Sequence, residues 1–82
     1  RLEKCVISNN VTVENGAELK ESVGMEGAVI GRDAHLNRVI LDKGVVVPPG
    51  CRIGFDSNAD RQQFTVTPNG IVAIPKGIPI EA

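Results

Sequence analysis

The sequence predicts an all-β fold, a triangular parallel solenoid built from 17-residue coils. The first observation is a period: Leu2, Leu19, Leu36 and Ile53 recur at a constant 17-residue step, and most columns between them repeat one residue class. The second is that each unit divides into sides of six, six and five residues, most of which open with an aliphatic residue. Three short strands and three corners per unit describe a triangular coil, and stacked coils pair in parallel.

A third observation supports the corners. In each six-residue side, one column holds only the residue types that adopt φ > 0 most readily. Its members are Asn10, Gly16, Gly27, Asp33, Gly44 and Gly50. An amphipathic helix is disfavoured, because the apolar residues do not recur at i, i+3, i+4 and i+7 and each Gly would cost about 1 kcal/mol in a helix interior.

The coils are expected to occupy residues 1–54, and residues 55–82 to cap the last coil within the same domain. Asp56 or Ser57 is the predicted N-cap of a short helix that reaches Phe64. After it, 65–67 and 71–74 flank a Pro-Asn-Gly turn, a pattern typical of a β-hairpin. No cap precedes Leu2 and no initiator Met is present, so we expect the natural protein to continue upstream.

Composition excludes several classes of function. The net charge of −1 offers no electrostatic basis for binding nucleic acid or an anionic membrane, and no apolar run approaches the roughly 20 residues of a membrane span. No signal peptide is recognisable. Cys5 and Cys51 fall in columns of small or apolar residues and are interpreted as buried hydrophobes rather than as a disulfide or metal ligands. Reduced thiols indicate the cytoplasm.

Catalytic motifs are missing from the sequence. It has no Gly-rich phosphate loop, no cluster of metal ligands and no serine beside a base, so we predict no catalytic residue and no metal site. The one histidine, His35, shares a column with Glu18 and Arg52, which indicates a solvated position. Contact with an effector or an interface, and a general base such as some acyltransferases use, are the alternatives for His35.

The coil sides resemble the hexapeptide repeat, in which an aliphatic residue is followed at a fixed distance by a small one. Ile30-Gly-Arg-Asp-Ala34 and Val47-Pro-Pro-Gly-Cys51 are good matches. This resemblance implies the left-handed parallel β-helix, an exception to the right-handed crossover rule. The spacing alone predicts the triangular coil and leaves its hand open.

A closer resemblance is carried by three stretches in order: 38–43 (Arg-Val-Ile-Leu-Asp-Lys), 47–54 (Val-Pro-Pro-Gly through Ile-Gly), and 60–64 leading into Gly-Ile-Val-Ala-Ile-Pro-Lys at 70–76. They are similar to the C-terminal domain of ADP-glucose pyrophosphorylases. The resemblance implies an enzyme of glycogen or starch synthesis that joins ATP and glucose 1-phosphate with Mg²⁺. It also implies a separate N-terminal catalytic domain, so this chain should have no activity and no cofactor of its own.

The same resemblance implies the partners and the site. In that family the β-helix holds a tetramer together and packs on its own catalytic domain, and anionic phosphorylated effectors bind near the junction. Asp42, Lys43 and Lys76 match the positions that would bind the effector. Some members of that family have further basic residues after the position of Lys76, whereas here the segment is Gly-Ile-Pro-Ile. The resemblance therefore does not identify the effector. The alternatives are a β-helix domain of another sugar nucleotidyltransferase, a hexapeptide acyltransferase and a purely structural assembly module.

Overall fold

The computed structural model describes residues 2–77 and residue 80, and it is a prism of stacked β-coils. Arg1, residues 78–79 and residues 81–82 lie outside the described residues, and the last four of these belong to the predicted 55–82 cap segment. The strands are β1 (Leu2–Glu3), β2 (Val6–Ile7), β3 (Thr12–Val13), β4 (Glu18–Lys20), β5 (Val23–Gly24), β6 (Val29–Ile30), β7 (His35–Asn37), β8 (Val39–Leu41), β9 (Val46–Val47), β10 (Arg52–Ile53), β11 (Thr65–Val66) and β12 (Val72–Ile74), with helix α1 (Ser57–Gln63) between β10 and β11.

Three sheets form the faces of the prism. Sheet A has the order β1-β4-β7-β10, sheet B the order β11-β12-β8-β5-β2, and sheet C the order β3-β6-β9. Strands of neighbouring coils pair in parallel, and Leu19 lies opposite Leu36, its equivalent in the next coil. The predicted 17-residue coil is therefore confirmed.

All six predicted corner residues have positive φ, from 58° at Asp33 to 78° at Gly16 and Gly27. The structure adds a third corner that the sequence did not reveal, at Lys4, Glu21 and Arg38, with φ between 50° and 58°. A non-glycine residue in this conformation costs about 1–2 kcal/mol. Hydrogen bonds between coils offset that cost, since the Glu21 and Arg38 N–H groups each donate to the coil before.

The core is a narrow stack of aliphatic side chains. Its buried members are Ala17, Leu19, Ala28, Ile30, Ala34, Leu36, Val39, Leu41, Val45, Val47, Cys51, Ile53, Phe64, Val72 and Ile74. Ser22 is buried among them, and its hydroxyl donates to the Lys20 carbonyl at 2.9 Å and accepts from the Val39 N–H at 3.2 Å. Because both bonds are made, this polar group fits the core without an unpaired donor or acceptor.

Helix α1 forms as predicted, with Asp56 as its N-cap. The Asp56 carboxylate accepts from the N–H groups of Asn58 at 3.0 Å and Ala59 at 3.2 Å. The helix ends at Phe64, whose side chain is buried. Asp60, also buried, accepts from the Gly54 N–H at 3.0 Å and so ties the helix to the end of β10.

The hairpin adds a fourth rung to the prism. Strand β12 pairs antiparallel with β11, as predicted, and also parallel with β8, so that Ile74 lies opposite Leu41. Ile74 and Leu41 are separated in sequence by nearly two coil periods, whereas other neighbouring parallel strands are separated by one. Gly77, with φ of 84°, follows the corner residue Gly44 by the same number of residues. Ile80 packs against the core. The coil pattern, predicted to end at Gly54, therefore resumes at Val72 after the inserted helix and turn.

Candidate functional site

The three residues predicted to bind an effector come together at the corner between sheets B and C. Asp42 and Lys43 follow β8, and Lys76 follows β12. Because β12 pairs in parallel with β8, Lys43 and Lys76 occupy equivalent positions on neighbouring rungs, where backbones are about 4.8 Å apart. Two lysines that are distant in sequence are thus adjacent in space.

Asp42 holds this corner together. Its Oδ1 accepts from the Lys43 N–H at 2.7 Å, and its Oδ2 accepts from the Lys76 N–H at 3.5 Å. Its own N–H donates to the Ile74 carbonyl at 3.1 Å. The carboxylate is therefore directed at the backbones of the two lysines and connects the last complete coil to the fourth rung.

The lysine side chains at this corner point to solvent. Lys43 and Lys76 are both exposed, and among the described residues neither ammonium forms an ion pair with a carboxylate. Lys43 also borders a shallow groove of about 570 Å³ that is lined by Ser8, Asn9, Val23, Met25 and Glu26. Two exposed ammonium groups on adjacent rungs can bind an anion such as a phosphate.

His35 lies on sheet A, far from this corner in the fold. It is in register with Glu18 and Arg52, as its predicted column requires, and its Nε2 is 3.2 Å from Glu18 Oε2. Its side chain is 33% exposed, so it is a half-buried surface residue. Among the described residues, no three His, Cys, Asp or Glu side chains are grouped as metal ligands.

The two cysteines are free thiols, Cys51 buried and Cys5 half-buried. Burial raises the pKa of the Cys51 thiol, and the negative charge of Asp60 raises it further. Burial also raises the pKa of Asp60, against the opposing effect of the hydrogen bond from Gly54. A thiol with a raised pKa carries little thiolate at neutral pH, so Cys51 is a packing residue and not a nucleophile.

A groove on the outer face of sheet A was not predicted from the sequence. It has a volume of about 310 Å³, and its lining includes Glu18, Lys20, His35, Asn37 and Phe55. The 17-residue period could have predicted that Glu18 lies beside His35, and Lys20 beside Asn37, on the outer face of sheet A. The position of Phe55 could not be predicted in this way, because it depends on how the chain turns after β10.

Within the part of the chain that the structure describes, no helix is long and apolar enough to cross a membrane.

Relatives of the chain are named glucose-1-phosphate adenylyltransferase, the other name of ADP-glucose pyrophosphorylase. The protein of that name from Corynebacterium diphtheriae is 46% identical over 71 residues, which are 87% of this chain and 17% of the relative. Those from Leifsonia xyli and Deinococcus deserti are 45% and 42% identical, over 94% and 87% of this chain and 19% and 17% of the relatives. The chain spans less than a fifth of the length of these relatives.

A family model described as "GlmU-like, C-terminal hexapeptide" matches residues 1–74. The match covers every coil, helix α1 and both strands of the hairpin. It confirms the hexapeptide repeat predicted from 30–34 and 47–51, and with it the left-handed parallel β-helix. The chain belongs to the GlmU-like C-terminal hexapeptide family.

Proposed function

We propose that the chain is the non-catalytic oligomerisation and regulatory domain of a glucose-1-phosphate adenylyltransferase. The whole enzyme would join ATP and glucose 1-phosphate to give ADP-glucose and pyrophosphate, in glycogen or starch synthesis. The catalytic chemistry and its Mg²⁺ would belong to an N-terminal domain outside this chain, in a cytoplasmic enzyme. The names of the relatives, which match over most of this chain, support the proposal.

The regulatory role rests on one observation, the position of Lys43 and Lys76 on adjacent rungs of the B–C corner. Their exposed ammonium groups would bind an anionic phosphorylated effector. Asp42 would act on the effector indirectly, because its carboxylate accepts from both backbones and would repel an anion that approached it directly. An effector held there would touch both the last coil and the fourth rung.

The oligomerisation role is supported by the outer faces of sheets B and C. Val6, Val23 and Ile40 form an outward apolar column on sheet B, and Val29 and Val46 form another on sheet C. Val6 and Val46 are 65% and 59% exposed. The other three residues are half-buried, and apolar side chains grouped in this way at a surface indicate contacts with other proteins or domains. These faces would contact the catalytic domain of the same chain and other subunits of a tetramer.

The regulatory role is tested by Lys43→Ala and Lys76→Ala in the full-length enzyme, with Arg32→Ala, an exposed cation at the corner between sheets C and A, as the matched control. Each corner variant should raise the concentration of phosphorylated effector needed for half-maximal activation by roughly tenfold, because a charge-assisted hydrogen bond to phosphate is lost. The measurement is initial rate against effector concentration, across a panel of phosphorylated sugars.

Activity without effector should stay the same in all three variants, because the corner lies outside the catalytic domain. The control should respond to effector as the wild type does. An unchanged effector response in both corner variants would contradict the regulatory proposal.

A further inference from the structure

The groove on the outer face of sheet A, which we call the sheet A groove, lies across the prism from the Lys43–Lys76 corner. Its lining includes Leu19 and Leu36, whose side chains are buried in the core at 2% and 1% exposure. These two leucines can contribute only backbone, so strands β4 and β7 form the floor of the groove. Asp42, Lys43 and Lys76 do not line this groove.

Two columns of polar side chains form the walls. Glu18 and Lys20 flank Leu19 in β4, so both point outward, and His35 and Asn37 flank Leu36 in β7 in the same way. Because the strands pair in register, Glu18 stands beside His35 and Lys20 beside Asn37. The 3.2 Å contact between His35 and Glu18 orients the carboxylate, and Asn37 Nδ2 is held by the Gly54 carbonyl at 3.4 Å.

Phe55 closes one end of the groove. Gly54 has φ of 93°, and a Cβ there would clash with the Asn37 carbonyl, so the chain turns tightly against β7 directly before Phe55. The Arg52 guanidinium lies over the ring, 4.8 Å from its centroid. The Phe55 residue is nevertheless 52% exposed, which leaves an aromatic surface facing the groove.

The charges in the groove select against most ligand classes. The Glu18 carboxylate and the Lys20 ammonium lie on the same outer face of β4, so opposite charges are present and the groove favours neither an anion nor a cation. An apolar ligand would remove water from the Glu18 carboxylate and the Lys20 ammonium and offer them no hydrogen bond in return. A ligand with several hydroxyl groups can donate to Glu18 and accept from Lys20 and the Asn37 amide, while its apolar C–H face packs on Phe55.

We propose that the sheet A groove binds a neutral sugar unit. Its volume of about 310 Å³ has room for one or two sugar rings, at the small end of the range for ligand sites. The Glu18 carboxylate, Lys20 and Asn37 bind the hydroxyl groups, and Phe55 supplies the stacking surface. This site is independent of the effector proposal, because it involves another face and a neutral ligand.

The test is a titration of the ¹⁵N-labelled chain with glucose and with maltose, followed by amide chemical shifts. Binding with a Kd of roughly 1–10 mM, as suits a shallow site worth about 3–4 kcal/mol, should shift the amides of 18–20, 35–37 and Phe55. Phe55→Ala and Glu18→Gln should each weaken binding at least about fivefold, since each removes one contact of the order of 1 kcal/mol.

Glu18→Gln is nearly isosteric and can still contact His35, so it separates loss of binding from loss of structure. Val46→Ala, on sheet C, is the matched control and should bind as the wild type does. Three results would overturn the proposal: no shift with either sugar at high concentration, full binding by both groove variants, or larger shifts of the same amides with inorganic phosphate or glycine than with the sugars.

Discussion

Asp42 shows how one carboxylate can hold two lysines close together through their backbones. Sequence resemblance places it beside Lys43 and Lys76 as an effector-binding residue. The structure directs both of its oxygens at backbone N–H groups, one on each lysine. The same residue receives the chain returning from β12, because its N–H donates to Ile74. Its contribution is to hold two lysines of distant sequence position on adjacent rungs.

We expect Asp42→Ala to lower the free energy of unfolding by about 1 kcal/mol, because two backbone donors lose their acceptor at a partly exposed site. Asp42→Asn should cost less, since its amide oxygen can still accept one of the two bonds. The measurement is urea denaturation of the chain, with Asn9→Ala, at the same corner two coils earlier in the stack, as the control. Equal stability of the Ala variant and the wild type would show that the two hydrogen bonds accepted by Asp42 contribute nothing to the free energy of unfolding.

At the scale of the elements, helix α1 and the hairpin are what interrupt the coil and then restore it. The helix begins directly after Asp56, because the Asp56 carboxylate accepts from two N–H groups that have no partner within the helix. It packs on the last coil through Phe64, and Asp60 ties it to Gly54. The hairpin turn then returns the chain in the direction that β12 needs in order to pair in parallel with β8.

Replacing Asp56 by Ala should therefore lower the free energy of unfolding by about 1 kcal/mol, the usual cost of losing an N-cap. Gln62→Ala, on the exposed side of the same helix, serves as the control and should be neutral or slightly stabilising because Ala has the higher helix propensity. Both are measured by urea denaturation. A loss in the control as large as that in Asp56→Ala would mean that capping is not the cause.

Viewed as a whole molecule, the prism has one polar face and two apolar ones. Sheet A presents Glu18, His35 and Arg52 outward, whereas sheets B and C present aliphatic columns. A rigid body with two apolar faces suits contacts with more than one partner, while its polar face stays in water. The proposed roles follow this division: assembly on sheets B and C, effector binding at the corner where they meet, and sugar binding on sheet A.

On this basis, Val46→Lys in the full-length enzyme should shift the oligomer towards smaller species, because a charge would be buried in an apolar contact. Glu18→Lys, on the polar face, should leave the assembly intact. Sedimentation velocity distinguishes the two outcomes. Since Val46 is 59% exposed, the isolated chain should keep its stability with Lys at this position. An unaltered oligomer for both Val46→Lys and Val23→Lys would contradict the assignment of these faces.

The repeat made much of this fold predictable, because a column in a solenoid is a column in space. Gly16, Gly27 and the other small corner residues reveal two of the three corners, since few residues tolerate positive φ. Glu21 and Arg38 conceal the third, because hydrogen bonds between coils impose a conformation that their side chains do not favour. Asp56 revealed the helix start for a local reason, as its carboxylate caps residues two and three positions ahead.

Local and periodic information in the sequence thus determined the coil, its period, the helix and the hairpin. The tertiary structure alone decided where the hairpin goes after it turns, which placed Lys76 beside Lys43. It also decided how the chain turns after β10, which placed Phe55 in the same groove as His35. The physical reason is that these contacts break the 17-residue period. Strand β12 meets β8 at an offset of nearly two periods, and Phe55 is positioned by the close approach of Gly54 to Asn37. Such contacts depend on the packing of the last coil as a whole, which no column of the repeat records.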